Sequence, residues 1–552
     1  MAERPQGLNG LKLEQFVSLW QGTSEEAPGD YHGWTDRSVA LIGDVSGIQN
    51  FVFRPVPGAG GAARRLRARS FRVSAYTELA AQWALGRLNA AHPTLLYSGG
   101  GRFLINCDDH AGWQDMIADL QEEIDSWAWR TFEGELVFHL AAAPAHSGCI
   151  PWDGLNEALQ TRRLQPLREA FTSSAGWAGK EFIRRSQAGD DRCAGCGVTH
   201  RMHSAGDCEK ICDRCEQDEE IGGKIVRSRF ARLSRQGTFD LVFIDLGLQL
   251  CKEMDGEAEA WLNMGGESQG AQFWPLLRHA PVGNSGAMDF DTIARRSNGV
   301  RWLGYLRLDV DRAGKAFIDL GGQPLRTWAL SRLLHSFFTV EATQLLRSSC
   351  FSNIYAVFGG GDDLFVVGPW NEVLEFALSL RLRFREVTSE ALTFSAGISL
   401  ARPRDHILTK AREAGDELET AKEQPAYGRH CGRDQIRALG VTCAWDDFAR
   451  LLNQAKQVTA WLESREIPSR FLHQALELHH HWAEDRRKFP ERDAANSVRY
   501  RPLLYYQILR NIKPGPASQW AHSLLHPPCD WPWADFIFRY AMLASKQGQE
   551  ET

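Results

Sequence analysis

LGYLRLDVDRAGKAF, residues 303–317, followed by NIYAVFGGGDDLFVVG, residues 353–368, decides the fold. The first stretch reads as a strand whose alternation sets Asp309 and Asp311 on one face. The second reads as two strands joined by a glycine turn, with Asp362 and Asp363 at its tip. A glycine-aspartate turn alone is an ordinary turn former. Beside an acidic strand it acquires chemistry, because hard divalent cations prefer oxygen ligands and two metals about 4 Å apart steady both the attacking and the leaving oxygen of a phosphoryl transfer. Four carboxylates, Asp309, Asp311, Asp362 and Asp363, are expected to converge on this hairpin and supply a site for two Mg²⁺ or Mn²⁺ ions. Gly360 and Gly361 leave room for a triphosphate against the backbone and permit the positive φ of a tight turn.

The same order of elements occurs earlier. ALIGDVSGIQNFVF, residues 40–53, ends a strand at Asp44 and turns through Ser46 and Gly47. A glycine-rich break at residues 58–61, a helix from Ala62 to about Asn89, the hairpin TLLYSGGGRFLIN, a helix through Trp113 and Leu120, and the strand GELVFHLAA follow. In the second copy come LGYLRLDVD, a helix from Leu325 to Leu346, the GGGDD hairpin, a helix from Asn371 to about Arg385, and LTFSAGISL. Fifty-five residues separate Asp44 from Gly99, and 51 separate Asp309 from Gly360. The expectation is an α+β chain with two ferredoxin-like βαββαβ palm domains. The first hairpin lacks an acidic pair. Either Gly101 and Arg102 or Arg102 and Phe103 stand where Asp362 and Asp363 stand, so this copy is degenerate. A degenerate palm facing an intact one suits a reaction in which one nucleotide is activated and the other is held.

Between the copies lies DRCAGCGVTHRMHSAGDCEKICDRC. Cys193 and Cys196, then Cys212 and Cys215 after fifteen intervening residues, have the spacing of two knuckles around a structural Zn²⁺, a closed four-thiolate site with no position open for catalysis. Cys208, His200 and His203 are alternative ligands or bystanders. Cys251, Cys350 and Cys431 are expected to fill core space, and His479, His480 and His481 fan around a helix with no common target. On the helix after the last palm strand stand Lys410, Arg412 and Lys422, with Lys422 the choice for clamping a triphosphate.

At 552 residues the chain is long enough for several cores; 43% apolar and 24% charged residues exclude disorder and fibrous folds. No export signal and no apolar run of roughly 20 residues is present, so a cytoplasmic location without membrane contact is expected. A net charge of −6 leaves any nucleic-acid surface to local patches, for which Arg64, Arg65, Arg67, Arg69 and Arg72 are dense enough; a solvated helix face is the alternative. The expected domains are an N-terminal segment at 1–37, a first palm at 38–145, linker helices with the zinc insert at 146–240, the catalytic palm at 241–435, and a helical domain at 436–552.

GDVSGIQNF, YSGGGRF, the two CxxC pairs, LGYLRLDVDRAGKAF, GGGDDLFVVG and TFSAGISL, in this order, resemble the CRISPR polymerase family, the large subunit of type III effector complexes, subtype A-like. The resemblance covers residues 38 to 445 by motif. It implies assembly with guide RNA, target RNA and other type III subunits, and synthesis of cyclic oligoadenylates from ATP when target RNA is bound. It also implies that the backbone at Val310 assists Asp309, Asp362 and Asp363 in holding the metals, while Ser46, Gly47, Gly99, Gly100 and Gly101 hold the second ATP. Many members begin with a helical HD nuclease domain. Here about 40 residues precede the first palm and no His-Asp dipeptide occurs, so DNA cleavage by such a site is not expected. Two other readings are a diguanylate cyclase, against which the internal duplication argues, and a catalytically idle RNA-binding scaffold, against which the acidic pair argues.

Overall fold

The computed structural model describes residues 11–24, 34–35, 37–54, 61–88, 94–108, 112–172, 192–197, 202–205, 209–265, 270–283, 286–488, 499–526 and 529–546. His200 and Cys208 lie outside them, as does the side chain of His203. Two antiparallel sheets carry the repeated unit. In the first, strands Thr94–Gly99, Arg102–Asp108, Ser38–Ser46 and Val137–Pro144 lie side by side in that order. In the second the order is Tyr355–Gly360, Asp363–Pro369, Leu303–Val310 and Phe394–Ala401. Both are the order of a ferredoxin-like unit.

The copies agree residue by residue at the hairpins. Asp44 pairs with Arg102 across the first sheet as Asp309 pairs with Asp363 across the second. Gly99 faces Arg102 as Gly360 faces Asp363, and each hairpin carries a bulge at the same place, between Leu95 and Tyr97 or between Ala356 and Phe358. Of the two alignments open in the sequence, the register selects Gly101 and Arg102 opposite Asp362 and Asp363. Gly100 and Gly101 both have positive φ, +60° and +81°, whereas at the second tip Gly361 has it at +66° and Asp362 need not. A glycine is therefore required at one central position of the acidic turn and at both of the other.

The palms share a core. Phe53, just after the first strand and its short helix, meets Phe365 edge-on at 5.2 Å, and the Tyr355 hydroxyl donates to the Ala63 carbonyl at 2.7 Å. The first palm's central strand is buried along almost its whole length, which explains why it reads as an apolar run without alternation. The N-terminal helix Leu13–Gln21 packs on Pro324–Ser336 of the second palm, with Phe16 against Trp328 at 5.4 Å.

Several expectations change. Asp311 lies past the end of its strand, which stops at Val310, so it does not share a face with Asp309. A five-stranded sheet spans residues 230–273, so a palm boundary at 241 cuts through it and the second palm begins nearer Leu303. The chain beyond 435 is not wholly helical: Gln435–Ala438 and Val441–Ala444 extend the catalytic sheet, the former parallel to Phe394–Ala401. Four-residue strands carry too few alternations to announce themselves. Cys350 and Cys431 are exposed rather than in the core. His479 is buried against Trp482 and Trp531. Among the described residues no helix is long and apolar enough to cross a membrane.

Arg64 is exposed, but the other four arginines of the row form neither a nucleic-acid surface nor a solvated face. Arg65, Arg67, Arg69 and Arg72 are 0%, 3%, 4% and 7% exposed. The Ala62–Arg87 helix presses them onto Asp213–Arg227, the helix that leaves the second CxxC knuckle, where Asp218 receives Arg69 at 3.0 Å and Arg72 at 2.7 Å and Glu219 receives Arg65. Gly222 permits the contact, since an added Cβ would sit 2.2 Å from the Arg64 carbonyl.

Candidate active site at the facing hairpins

The two glycine turns meet tip to tip. A Cβ on Gly361 would lie 3.9 Å from Gly100 Cα, and His335, on the Pro324–Ser336 helix, touches both turns: Cβ atoms built on Gly99 and Gly360 would lie 3.3 and 3.1 Å from its Nδ1. His335 is fixed by the Pro275 carbonyl, 3.1 Å from Nε2.

At the acidic tip the Val310 amide donates to the Asp362 carbonyl at 2.9 Å, which locks the turn to the end of the Asp309 strand. Burial, followed by the charge of Asp362, pushes Asp363 up to about 8, with Arg307 opposing. Asp309 is also raised, by burial first, while its bond to Lys422 opposes and Asp362 adds. Crowded carboxylates that resist ionising together are what a divalent cation relieves, so the donor set fits Mg²⁺ or Mn²⁺. The Lys422 ammonium lies 2.8 Å from Asp309 Oδ2 and 3.0 Å from Glu419. Burial pulls its pKa down, and the bond to Asp309 outweighs that, so it stands above the ordinary lysine value. Asp311 is spent on structure: it accepts from Thr393 (2.8 Å), Ser395 (2.7 Å) and the Asp434 amide (2.8 Å). Three carboxylates converge, not four.

The first palm inverts the electrostatics. Asp44, 4% exposed, is clamped by Arg102 at 2.7 Å and by both ends of the Arg163 fork at 2.9 and 2.7 Å. Ser46 takes the place of Asp311 and lies 3.1 Å from His139 Nε2, the residue aligned with Ser395. Neither Arg163 nor His335 was singled out from the sequence, for each stands in a helix without a motif around it.

Two cavities flank the tip-to-tip contact. One, about 400 Å³, is lined by Gly47, Asn50, Phe53, Ser70, Ser74, Trp274, Gly360 and Asp363 among others. The second, about 490 Å³, is lined by Asp44, Arg102, Arg163, Phe317, Gly361 and Asp362 among others. Gly99, Gly100 and His335 line both; Gly101 lines the first, and neither Ser46 nor Lys422 lines either. The apolar and hydroxyl walls of the first suit a purine, and the guanidinium groups of the second suit phosphate oxygens.

The cysteines come together as their spacing requires. Sγ atoms of Cys193, Cys196, Cys212 and Cys215 lie within 4.8 Å of one another, with Cys196 and Cys212 3.8 Å apart. Thiolates at about 2.3 Å from a tetrahedral centre stand roughly 3.8 Å apart. The Gly195 and Cys212 amides donate to Cys193 Sγ at 3.3 and 3.2 Å, and Arg69 reaches Cys215 Sγ at 3.5 Å, bonds that favour thiolates. The donor set fits zinc.

Comparison with known proteins agrees with this architecture. A family profile described as Cas10/Cmr2, second palm domain, matches residues 302–434, and one described as Csm1 subunit domain B matches residues 39–159. The subtype III-A CRISPR single-strand-specific deoxyribonuclease Cas10/Csm1 of Mycobacterium tuberculosis is 29% identical, in a match that covers 73% of this chain and 54% of the relative. Its counterpart from Enterococcus italicus is 28% identical, over 79% of this chain and 59% of the relative. The chain thus spans little more than half the length of these curated relatives. Among solved structures, an apo Csm1–Csm4 cassette superposes with a TM-score of 0.69 at 20% identity, covering 96% of this chain and 72% of that one. A Csm1–Csm4 cassette in complex with cA3 superposes at 0.68 and 19% identity, with the same coverage. A second-palm profile and a Csm1 domain B profile matched in order, a shared fold and relatives of one description agree that the chain is similar to the Cas10/Csm1 large subunits of type III-A CRISPR systems.

Proposed function

We propose that the chain converts ATP to cyclic oligoadenylates at the facing hairpins, as the large subunit of an RNA-guided type III effector that acts when target RNA is bound. The observation that carries this reading is the charge inversion within one repeated geometry: Asp309 faces Asp363 in one palm, and Asp44 faces Arg102 in the other.

Asp309, Asp362 and Asp363, with the backbone at Val310, would hold two Mg²⁺ or Mn²⁺ ions, which when bound lower the pKa of an attacking hydroxyl and neutralise charge on the transferred phosphate. Trp274 and Phe53 give one adenine a flat wall, with Ser70, Ser74 and Asn50 as polar partners. Arg102 and Arg163 retain donor edges beyond those spent on Asp44, being half-exposed, and hold phosphate of the second nucleotide without activating it. The 3′-hydroxyl of one nucleotide attacks the α-phosphorus of the other, the bond to the β-phosphate oxygen breaks, and pyrophosphate leaves with the negative charge. Lys422, held beside Asp309, is positioned to receive triphosphate oxygens. The hydroxyl proton passes to solvent or to a carboxylate not engaged as ligand. The four cysteines would hold one structural zinc ion, which would brace the start of the Asp213–Arg227 helix. Partners of the reading are guide and target RNA and a Csm4-like subunit, by likeness to the Csm1–Csm4 cassettes.

Asp362→Ala with Asp363→Ala, in the assembled complex supplied with matched target RNA and ATP, should reduce oligoadenylate formation below detection while assembly and melting are unchanged. Product made by the double variant at the parental rate would sink the assignment.

A further inference from the structure

We propose that Arg278 and Arg347, with the charge of Arg229 added, form a separate binding niche for a single phosphate group, distinct from the nucleotide cavities. A cavity of about 90 Å³ is lined by Arg278, Arg347, Gln344, Thr343 and Gly265 among others. At about 30 Å³ per water molecule it holds three waters or one tetrahedral oxyanion, and no nucleoside.

Charge is the reason to expect the oxyanion. Arg278 spends one nitrogen on the end of the Asp213–Arg227 helix, donating from Nη1 to the Ser228 carbonyl and, at 3.5 Å, to that of Ile225. Its Nη2 lies beside Gly265, where an added Cβ would come within 2.7 Å. Burial, then the charges of Arg347 and Arg229, press its pKa down to about 10. Among the described residues neither Arg229, Arg278 nor Arg347 forms an ion pair with an acid. Neighbouring His279 is also lowered, by burial first and then by Arg347 and Arg67, with its bond to the Ser352 carbonyl opposing. Elsewhere the buried Arg69 and Arg72 are matched by Asp218, while the buried Arg67 is held by the Gly222 carbonyl and the Tyr355 ring. A half-buried guanidinium beside two exposed ones, with no acid paired to them among the described residues, is costly, and guanidinium forks match phosphate geometry.

The niche borders the reaction centre, sharing Leu276 with the wall of the first cavity. Arg347 ends the helical run that starts at Pro324 and passes through a π-helical turn at Phe337–Glu341, and His335 stands on the same run. The Pro275 carbonyl that holds His335 belongs to the segment leading to Arg278. The niche does not depend on the ATP reading, since its residues are not those of the hairpins.

The test is thermal melting of the full chain in Mg²⁺-free buffer, with inorganic phosphate titrated against chloride at matched ionic strength. The parent should show a saturable rise in melting temperature. Arg347→Gln, an exposed position that leaves the core alone, should shift the half-saturating concentration upward at least about tenfold, and Arg278→Gln should do the same where it folds. Arg510→Gln, an exposed position on the Tyr500–Asn511 helix that lines neither the niche nor the nucleotide cavities, should keep the parental response. Fluorescence anisotropy with a labelled single-stranded oligoribonucleotide, and melting with AMP, identify the source. Weaker RNA binding by Arg347→Gln, with the salt slope reduced by about one, assigns an RNA backbone phosphate. A change confined to phosphate and AMP assigns a free phosphate. No phosphate response in the parent, or the same response in Arg347→Gln and Arg278→Gln, would overturn the proposal.

Discussion

Asp125 illustrates how a single buried group ties an element to its sheet and leaves a readable trace. Its Oδ1 accepts from Gln121 at 2.7 Å and its Oδ2 from the Glu169 amide at 3.1 Å, while Gln121 bonds Phe138 and Leu140 of the neighbouring strand. Burial pushes the Asp125 carboxyl up to about 6, with the bonds from Gln121 and Glu169 opposing. An unfolded aspartate titrates near 3.9. Between about pH 4 and 6 the folded chain therefore keeps a proton that the unfolded chain has lost, and stability falls as pH rises through that window. At about 1.4 kcal/mol per unit the loss is at most roughly 3 kcal/mol. Asp125→Asn should flatten that part of the curve. Denaturant melts of parent and variant from pH 4.5 to 7.5 check it, and parallel curves would assign the slope to another group. Nothing in the sequence distinguishes Asp125 from other helix acids, because its burial comes from the chain folding back at Glu169.

The paired helices Ala62–Arg87 and Asp213–Arg227 show what reading by element recovers and what it misses. The helical spacing, the glycine hairpins and the CxxC knuckles were legible because each is a local pattern. The fate of the arginine row was not, because it depends on acids about 150 positions away in the chain. The run DRCEQDEE after the second knuckle was the available signal, an acidic helix start matched to a basic one. In the structure Asp218 stands between Arg69 and Arg72, so removing it strands two buried guanidinium groups. Asp218→Ala should cost about 3–5 kcal/mol of unfolding free energy, whereas Asp218→Ala combined with Arg69→Met and Arg72→Met should recover much of it. Equilibrium denaturation of both variants measures the difference. A single variant as stable as the parent would mean that zinc and apolar contacts alone seat the helix.

At the scale of the whole molecule, a duplicated unit has been set face to face with itself and then made unequal. The sequence carried that symmetry in its order of elements and carried the asymmetry in GGGRF against GGGDD, but the meeting of the two tips is a tertiary fact that no motif encodes. Gly99 tests the division of labour most cleanly. It lines both cavities, and it has no positive φ to strain a side chain, unlike Gly100 at +60°. An added Cβ there would press on His335 at 3.3 Å, a contact a side chain yields to by a few tenths of an ångström. Gly99→Val should therefore fold, melt within a few degrees of the parent and still bind one ATP at the acidic tip. Product formation should drop roughly tenfold to a hundredfold, because the second nucleotide is displaced from the attacking geometry. Gly100→Val, strained in the backbone, should lose stability and activity together. Melting, ATP binding and product formation measured on both variants separate the effects. A well-folded Gly99→Val chain that makes product at the parental rate would show that the first palm supports the second without holding a nucleotide for it.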